Sequence, residues 1–306
     1  MKILITTRLI PQNPSGCTGS QLARGFKSLG HDVTVYGNFY GQWNNFVGFK
    51  EVQSQDFDLI IEMEMNDPGP KYSTLRNYYR LQDKPWLLWD FDISYNPQNN
   101  LNYAASQNFD AYLIGNKYFV DEFAKFGKPV LHLPYACDTD KFKRIPNQKR
   151  RLVGFVGSLT AERKQLMDAI ARIANNSHDV ECATGVFGDE LVKKTNEFYL
   201  MFHHNQEAAR GLVCGRPFET TACGTTLMMD RTSYEDFTEF LPEYLHNYLL
   251  VYDDETDIRR LVNEWKDKKA TLDVYGEALM NYIHQNHSYR NRAKQILEFC
   301  DKEKLL

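Results

Sequence analysis

Short apolar runs alternate with amphipathic stretches along the chain, and this alternation predicts the fold. Runs of strand length occupy residues 3–6, 33–36, 59–62, 86–89, 111–114 and 130–133. Helical patterns lie between several of these runs, for example at 20–29 and 118–126. Strands and helices that alternate in this order build a parallel sheet with helices on both faces. The first half of the chain is therefore predicted to be a doubly wound α/β domain.

The alternation begins again after the polar, proline-containing segment KRIPNQKRR at 143–151. Further strands are predicted within LVGFVGS at 152–158 and at 180–183, 198–202, 225–229 and 248–252, with helices at 161–175 and 289–304. The α/β chain is thus predicted to form two Rossmann-like doubly wound domains, 1–148 and 149–285, facing each other across a cleft. A helical segment at 286–306 follows them. Ligands of such sheets bind beyond the carboxyl ends of the strands.

Composition narrows the class of protein. The chain has 306 residues, 42% hydrophobic and 25% charged, with a net charge of −4, which is ordinary for a globular protein and argues against one that coats nucleic acid. Its six cysteines are far apart and form no Cys-x-x-Cys pair, which fits a reducing compartment. No apolar run approaches the roughly 20 residues of a membrane span, and the short first strand does not resemble a signal peptide. A cytoplasmic protein is expected.

Two strand ends of the first half carry candidate site residues. Gly16 and Gly19 follow the first strand, where glycine lets the backbone approach a ligand, although glycines there are often simple turn formers. This loop has neither a Gly-x-Gly-x-x-Gly fingerprint nor the lysine of a P-loop, which disfavours a nicotinamide-dependent oxidoreductase. Asp90 and Asp92 follow the fourth strand, where a carboxylate can act on a substrate hydroxyl or only cap a turn.

The segment GFVGSLTAERKQL opens the second half with a possible diphosphate site. Gly157 and Ser158 stand at a strand end, and the adjacent cations Arg163 and Lys164 follow. Guanidinium and ammonium groups complement the oxygens of a diphosphate. The alternative is a solvated helix face, where lysine and arginine are common.

The next strand end, TGVFGDE, places Gly185 and Gly188 on either side of Phe187. An aromatic ring between two flexible residues is a plausible seat for a flat nucleobase. Glycine-bearing segments of this kind recur at successive strand ends of one domain, which scattered surface residues would not be expected to do.

The segment GRPFETTACGTTLMMDR at 215–231 predicts an anion site. Pro217 is predicted at a first helical position, so that Gly215 and Arg216 shape an exposed helix N-terminus. Such an end presents unpaired N–H groups and a positive dipole to a phosphate. Glu219 in the first turn either offsets that dipole or accepts two ribose hydroxyls. A phosphate and a ribose bound side by side describe a nucleotide-sugar.

These residues carry a resemblance to a known family. GRPFETTACGTTLM resembles the R-x-F-E-x-x-A-C-G signature of glycosyltransferases with the two-Rossmann GT-B architecture, and most of all the spore-maturation CgeB-like group. LVGFVGSLTAERKQLM, YLLVYDDETDIRRLV and NHSYRNRAKQIL resemble further segments of that group. LPYACDTDKF is similar to a pre-linker motif shared with the family-4 enzymes, and LLWDFD matches a first-domain element more loosely.

The resemblance implies transfer of a sugar from a nucleotide-diphosphate-sugar, a UDP-sugar foremost, to an acceptor hydroxyl, without a metal or other cofactor. By analogy Glu219 binds the ribose, Arg163 and Lys164 hold the diphosphate, and the loop at Cys214–Phe218 offers amides to the leaving phosphate. The segment 286–306 is expected to cross back to the first domain, as in such relatives.

The stereochemical course is open in the sequence. Many retaining relatives have a second glutamate eight positions before the ribose-binding one, and here that position is Gly211. Retention is the favoured course, in which Asp90 only orients the acceptor, whereas in an inverting enzyme Asp90 is the base. The missing glutamate also keeps open a non-catalytic nucleotide-sugar-binding protein.

The acceptor is the least constrained part of the prediction. YSTLRNYYRLQDKPW at 72–86 interleaves tyrosines with cations, which suits nucleic acid, and hydroxymethylated bases of phage-type DNA are one candidate acceptor. A glycan or protein-linked glycan is the other, and the segment then forms an ordinary amphipathic helix. Asp138 and Asp140 offer metal-type oxygens, but no second ligand cluster accompanies them and no metal site is expected.

Overall fold

A computed structural model describes residues 1–8, 17–38, 56–63, 84–91, 93–173, 179–205 and 210–306. Three of the sequence predictions lie outside these residues. They concern Gly16, Asp92 and residues 72–83 of the stretch in which tyrosines and cations are interleaved.

The first part of the chain forms a six-stranded parallel sheet in the order β2-β1-β3-β4-β5-β6. Its strands are β1 (Lys2–Arg8), β2 (Asp32–Asn38), β3 (Leu59–Met63), β4 (Trp86–Asp90), β5 (Ala111–Ile114) and β6 (Val130–His132). The accompanying helices are α1 (Thr18–Ser28), α2 (Pro97–Gln107) and α3 (Val120–Ala124), with 3-10 turns at Ile93–Tyr95 and Lys117–Phe119. Every residue of β3 and β4 is buried, which explains why their sequences are apolar, apart from Glu62 and Asp90, rather than alternating.

The second part forms a five-stranded parallel sheet in the order β11-β10-β9-β7-β8. Its strands are β7 (Arg151–Val156), β8 (Val180–Ala183), β9 (Phe198–His203), β10 (Thr226–Asp230) and β11 (Leu250–Tyr252). Its helices are α4 (Ala161–Ile173), α5 (Gly188–Asn196), α6 (Gly215–Ala222), α7 (Arg231–Thr238), α8 (Glu243–His246), α9 (Glu255–Trp265) and α10 (Lys269–Asn286). The predicted fold class, α/β with two doubly wound parallel sheets, is confirmed.

The chain divides into two compact units, Met1–Tyr135 with Tyr289–Leu306, and Ala136–Ser288. The last helix, α11 (Tyr289–Lys302), belongs to the first unit and packs on α1. The approach is close, because a Cβ at Gly25 would lie 2.4 Å from the carbonyl oxygen of Tyr289. The boundary between the units, after Tyr135, comes before the polar segment at 143–151. The domain limits 1–148 and 149–285, which were based on that segment, stay a prediction.

The predicted helix at 118–126 is shorter in the structure. The side chain of Asn116 accepts the N–H of Tyr118, and this cap opens the 3-10 turn Lys117–Phe119. α3 then follows as a separate short helix, and Gly127 stands beyond its end with a left-handed φ of +70°.

Candidate active site

The candidate residues of the second unit follow the ends of three neighbouring strands. Gly157 and Ser158 follow β7, Gly185 and Phe187 follow β8, and α6 begins at Gly215 after β9. Because these strands are parallel, their ends lie along one edge of the sheet, here called the carboxyl edge. The sequence therefore placed its second-half candidates on one edge, where open α/β sheets bind ligands.

The loop after β8 has a shape that suits a flat ligand. Gly185 has a left-handed φ of +67°, which glycine adopts without strain. Phe187 precedes α5 as its N-cap residue, and its ring is 44% exposed. This exposure leaves the aromatic ring available for stacking.

Arg163, in the first turn of α4, connects two loops of the carboxyl edge. Its Nε and Nη2 donate to the carbonyl oxygen of His204 at 2.9 and 2.7 Å, and Nη1 donates to the carbonyl of Ser158 at 3.0 Å. A guanidinium has five N–H donors, so two remain for a ligand. Lys164 beside it is exposed. Arg163 thus has a structural role that the sequence did not predict, and its contact with a diphosphate stays a prediction.

α6 begins two residues earlier than predicted. Cys214 is the N-cap residue, with extended backbone and no capping hydrogen bond from its side chain, and Pro217 is the third helical residue rather than the first. Proline is tolerated there because the N–H groups of the first turn have no partners within the helix. The predicted exposed helix N-terminus therefore presents the N–H groups of Gly215 and Arg216.

Phe218 serves the core rather than a ligand. Its side chain is fully buried, and its ring lies 5.3 Å from the rings of both Phe237 and His287. The side chain cannot contact a nucleotide from this position. Its packing holds α6 against α7 and the end of α10, and its backbone N–H lies one helical turn after the N-cap residue Cys214, whose carbonyl accepts the first hydrogen bond of the helix. The structure therefore shows a packing role for Phe218.

Arg216 and Glu219 form an ion pair one turn apart on α6. Nη1 of Arg216 lies 3.0 Å from Oε2 of Glu219, and their side chains are 25% and 15% exposed. The N–H bonds of this Nη1 are not aligned with the carboxylate, so Nη1 is buried and donates no hydrogen bond to the described residues. A buried, charged donor of this kind is suited to an anionic ligand.

The carboxyl group of Glu219 is electrostatically unusual. Burial raises its pKa above the ordinary 4.5, the charge of Arg216 acts in the opposite direction, and the nearby carboxylate of Asp138 raises it further. Asp138 stands in the LPYACDTDKF motif and is itself buried. The structure thus brings two motifs of the resemblance together, although they are far apart in the sequence.

Sequence reasoning missed the polar cluster at the end of β9. His203 is buried, which lowers its pKa to about 4; the charge of Asp230 opposes this shift, and those of Arg163 and Arg216 add to it. These three charges therefore lie around one imidazole, at the same part of the carboxyl edge. The pair of histidines that ends the apolar run FYLMFHH was the available signal.

Two aspartates bind the described residues on either side of 206–209, between β9 and α6. Asp230, the last residue of β10, accepts the backbone N–H of Asn205 at 3.0 Å, and Asp236 on α7 accepts that of Gly211 at 2.7 Å. Gly211 has a left-handed φ of +81°. The position where relatives have a glutamate is thus a turn that favours glycine.

In the first unit, the structure changes the interpretation of Asp90. Asp90 ends β4 as predicted, but its side chain is fully buried, and Asn100 of α2 donates to its two carboxylate oxygens at 3.4 and 3.2 Å. A base must reach its substrate, and this carboxylate is not exposed. Asn100 of α2 therefore lies between this strand end and solvent, and the catalytic role of Asp90 stays a prediction.

Gly19 has a packing role. It lies in the first turn of α1, and a Cβ there would stand 2.6 Å from Cβ of Thr7 on β1. The absence of a side chain at Gly19 lets the helix approach the strand closely. The predicted contact of the Gly19 backbone with a ligand is a separate matter and stays a prediction.

Across the ranges that the structure describes, no group of three or more His, Cys, Asp or Glu side chains is arranged to hold a metal ion. None of the helices in those ranges is both long and apolar enough to span a membrane.

Solved structures of glycosyltransferases share this fold. The chain superposes on sucrose-phosphate synthase from Thermosynechococcus elongatus with a TM-score of 0.67 at 11% identity, covering 98% of each chain. For HepE from Anabaena in complex with UDP-glucose the TM-score is 0.63 at 15% identity, covering 99% of this chain and 100% of that one. For an alpha-glucosyltransferase in complex with UDP and a 13-mer DNA containing a HMU base it is 0.69 at 13% identity, covering 97% and 98%. These likenesses establish the GT-B fold that the motifs implied.

No curated protein matches the sequence. The CgeB-like subgroup stays a prediction. The model of the family described as glycosyl transferase-like matches residues 143–298, which is more than half of the chain. The match includes four of the segments that carry the resemblance, at 152–167, 215–228, 248–262 and 286–297. The chain therefore belongs to this glycosyltransferase family.

Proposed function

We propose that this protein transfers a sugar from a nucleotide-diphosphate-sugar, most specifically a UDP-sugar, to an acceptor hydroxyl with retention of configuration. The observation that carries the proposal is the pairing of Arg216 with Glu219 in the first turns of α6. This pair lies on the same sheet edge as Arg163. Two cations and one carboxylate are therefore close to the N-terminus of α6.

The parts of a nucleotide-sugar match this arrangement. The carboxylate of Glu219 accepts the two ribose hydroxyls, while the base stacks on the exposed ring of Phe187. The two N–H groups of Arg163 that the loops leave available, the ammonium of Lys164 and the N–H groups of Gly215 and Arg216 surround the diphosphate. The complexes of HepE with UDP-glucose and of the alpha-glucosyltransferase with UDP support uridine as the nucleoside.

The same groups serve the chemical step. As the bond between the sugar and the diphosphate breaks, negative charge grows on the departing phosphate oxygen. Fixed donors aimed at that charge lower the barrier by roughly 3 kcal/mol each. In this proposal Arg163, Lys164 and the amides of α6 supply that stabilisation in place of a metal ion.

Retention is supported by the position of Asp90. Inversion requires a base that takes the acceptor proton on the face opposite the leaving group, and Asp90, the base predicted from the sequence, is fully buried beneath Asn100. When the acceptor attacks from the side of the leaving phosphate, the departing oxygen itself takes the proton. The new bond then has the configuration of the old one.

The six free cysteines are consistent with a cytoplasmic enzyme.

A donor screen tests the proposal. The purified chain is incubated with UDP-glucose, UDP-galactose, UDP-N-acetylglucosamine and GDP-mannose, and binding is measured by the shift of the melting temperature. Release of the nucleoside diphosphate by water measures turnover without an acceptor. We expect one UDP-sugar to stabilise the protein and be hydrolysed slowly, with the product in the donor's anomeric configuration by proton NMR. Absence of stabilisation by every donor would refute the proposal.

A further inference from the structure

A long stretch of the first unit carries no charge. Residues 93–109, ISYNPQNNLNYAASQNF, contain no Asp, Glu, Lys or Arg, although a quarter of the whole chain is charged. The stretch is rich in amides and tyrosine, and it forms the turn Ile93–Tyr95 and helix α2. Five consecutive side chains, Tyr95 to Asn99, are exposed. A solvent-facing helix usually carries charged residues, so this composition indicates a surface with another purpose.

This stretch lies where the first sheet is expected to bind a ligand. The turn Ile93–Tyr95 follows β4, and the turn Lys117–Phe119 follows its parallel neighbour β5. Both turns therefore stand at the edge where the strands of the first sheet end, which is the ligand-binding edge of open α/β sheets.

A buried amide joins the two turns. Asn116 is fully buried; its Nδ2 donates to Oγ of Ser94 at 2.6 Å, and its Oδ1 accepts the N–H of Tyr118 at 3.0 Å. The backbones beneath Tyr95 and Tyr118 are thus fixed relative to each other. Their rings are 57% and 53% exposed, respectively. A pair of exposed aromatic rings on connected, rigid turns is a preorganised contact surface.

The chemistry of this surface suits an uncharged ligand with many hydroxyls. Amide side chains donate to and accept from hydroxyl groups, and tyrosine rings pack against the apolar C–H face of a sugar. The exposed amides are held in place in part by each other, since Nε2 of Gln98 donates to Oδ1 of Asn102 at 2.8 Å.

A nucleic acid fits this surface less well. Phosphate backbones are bound chiefly by lysine and arginine. In the two turns and α2 the charged residue is Lys117, whose Nζ lies 5.3 Å from the ring centre of Tyr118 and thus over that ring.

We infer that Tyr95, Tyr118 and the exposed amides of α2, together the amide–tyrosine surface, bind a neutral oligosaccharide as the acceptor. Calling this ligand the acceptor rests on the proposed function. The binding of a neutral oligosaccharide by this surface does not depend on the identity of the donor.

The test is the capture of defined glycans by the full-length protein. The labelled chain is applied to an array of neutral, sialylated and sulfated oligosaccharides, with a single-stranded DNA 12-mer alongside. We expect capture on neutral glycans that is unchanged between about 50 and 300 mM NaCl, because no counterions are released. Tyr95→Ala and Tyr118→Ala should each weaken it about tenfold, the loss of roughly one stacked ring.

Two further variants separate contact from folding. Tyr244→Ala removes a tyrosine of the second unit that is 66% exposed, and it should leave capture unchanged. Tyr95→Phe keeps the ring and should retain most of the capture that Tyr95→Ala loses, provided that both variants melt within a few degrees of the parent.

Three results would overturn the inference. The first is that the protein captures no neutral glycan. The second is that neither tyrosine substitution changes the capture of neutral glycans. The third is that the protein prefers DNA or acidic glycans and that this capture falls steeply with salt. UDP binding by the unmodified protein is measured on the same sample. If UDP does not bind while neutral capture follows the tyrosines, the donor proposal fails and this inference stands.

Discussion

Nη1 of Arg216 lies 3.0 Å from Oε2 of Glu219 across one turn of α6, yet makes no hydrogen bond with it. The two charges stabilise each other. The N–H groups of Nη1 can still donate, and the oxygens of the carboxylate can still accept, hydrogen bonds with a ligand at the sheet edge. A ligand that carries both a phosphate and vicinal hydroxyls satisfies that capacity on both sides. This relationship is the basis of the first two predictions.

Glu219→Ala should weaken UDP binding by about 10- to 100-fold, because hydrogen bonds to a charged group contribute roughly 1.5–3 kcal/mol. Isothermal titration of UDP into parent and variant measures the change. Glu243→Ala, which removes an exposed glutamate on α8, is the control and should bind UDP like the parent. Equal UDP affinity in Glu219→Ala and the parent would remove Glu219 from the site.

The raised pKa of Glu219 gives binding a pH dependence. A protonated carboxyl offers a weaker acceptor to the ribose, so affinity should fall as the pH decreases through a pKa that burial holds above 4.5. UDP-glucose is the appropriate ligand, because its diphosphate does not titrate in this range. In Glu219→Gln this part of the pH dependence should disappear, and a slope identical to the parent's would contradict the assignment.

The same shift affects stability with a defined sign. The native carboxyl binds its proton more tightly than the unfolded one, so rising pH favours the unfolded state between the two pKa values. Glu219 should therefore destabilise the protein near pH 7 and have little such effect below pH 4.5, its unperturbed value. The gain in melting temperature of Glu219→Gln over the parent should be larger at the higher pH.

Arg163 should affect both the fold and the rate. Arg163→Ala removes the hydrogen bonds to the carbonyls of His204 and Ser158 and one fixed cation. We expect a lower melting temperature and a kcat reduced about 100-fold. Arg163→Lys keeps the charge but cannot bridge both loops, so it should recover part of the rate and little of the stability.

Arg172→Ala, an exposed cation in the last turn of α4, is the control for Arg163 and should change neither property. If Arg163→Ala lowers the melting temperature but leaves kcat unchanged, Arg163 only connects the two loops.

Substitutions at Gly19 distinguish a role in packing from a role in ligand binding. Gly19→Ala places a Cβ 2.6 Å from Cβ of Thr7, and overpacking of this kind costs about 1–3 kcal/mol. Thr7→Gly removes the opposing atoms, so the double variant should recover most of the stability lost in Gly19→Ala. Chemical denaturation measures these differences. If stability returns in the double variant while UDP-sugar turnover does not, Gly19 has a role beyond packing.

The fold was largely predictable because the buried strands consist mostly of apolar residues. β3 and β4 are buried at every position, and each is apolar except for one carboxylate, Glu62 in β3 and Asp90 in β4. Apolar runs of this short length between polar segments are typical of buried parallel strands. The end of each parallel strand then determines which residues share an edge. This is why the sequence could predict that Arg163, Phe187 and Glu219 follow strands that end on one edge; their roles in binding stay predictions.

Local exposure was not predictable in the same way. A carboxylate after a strand looks the same in sequence whether or not a helix covers it, and Asp90 is covered because Asn100 on α2 reaches it. The start of α6 depends on the extended backbone of Cys214, which the sequence leaves open, so Pro217 was placed too early in the helix.

Gly211 provides a direct test of the departure from retaining relatives. Its φ of +81° is costly for any residue with a Cβ, by roughly 1–2 kcal/mol, and its N–H is bound by the carboxylate of Asp236 at 2.7 Å. A glutamate introduced here therefore strains the loop that leads into α6. Gly211→Glu and Gly211→Ala should both lower the melting temperature by a few degrees.

Neither variant should transfer sugar faster than the parent, because the backbone conformation, rather than a missing carboxylate, determines the residue at this position. Turnover is compared per folded molecule, with Asp236→Asn as the variant that keeps an acceptor for the Gly211 N–H. A Gly211→Glu protein that turns over donor faster than the parent would show that a second carboxylate is what this active site lacks.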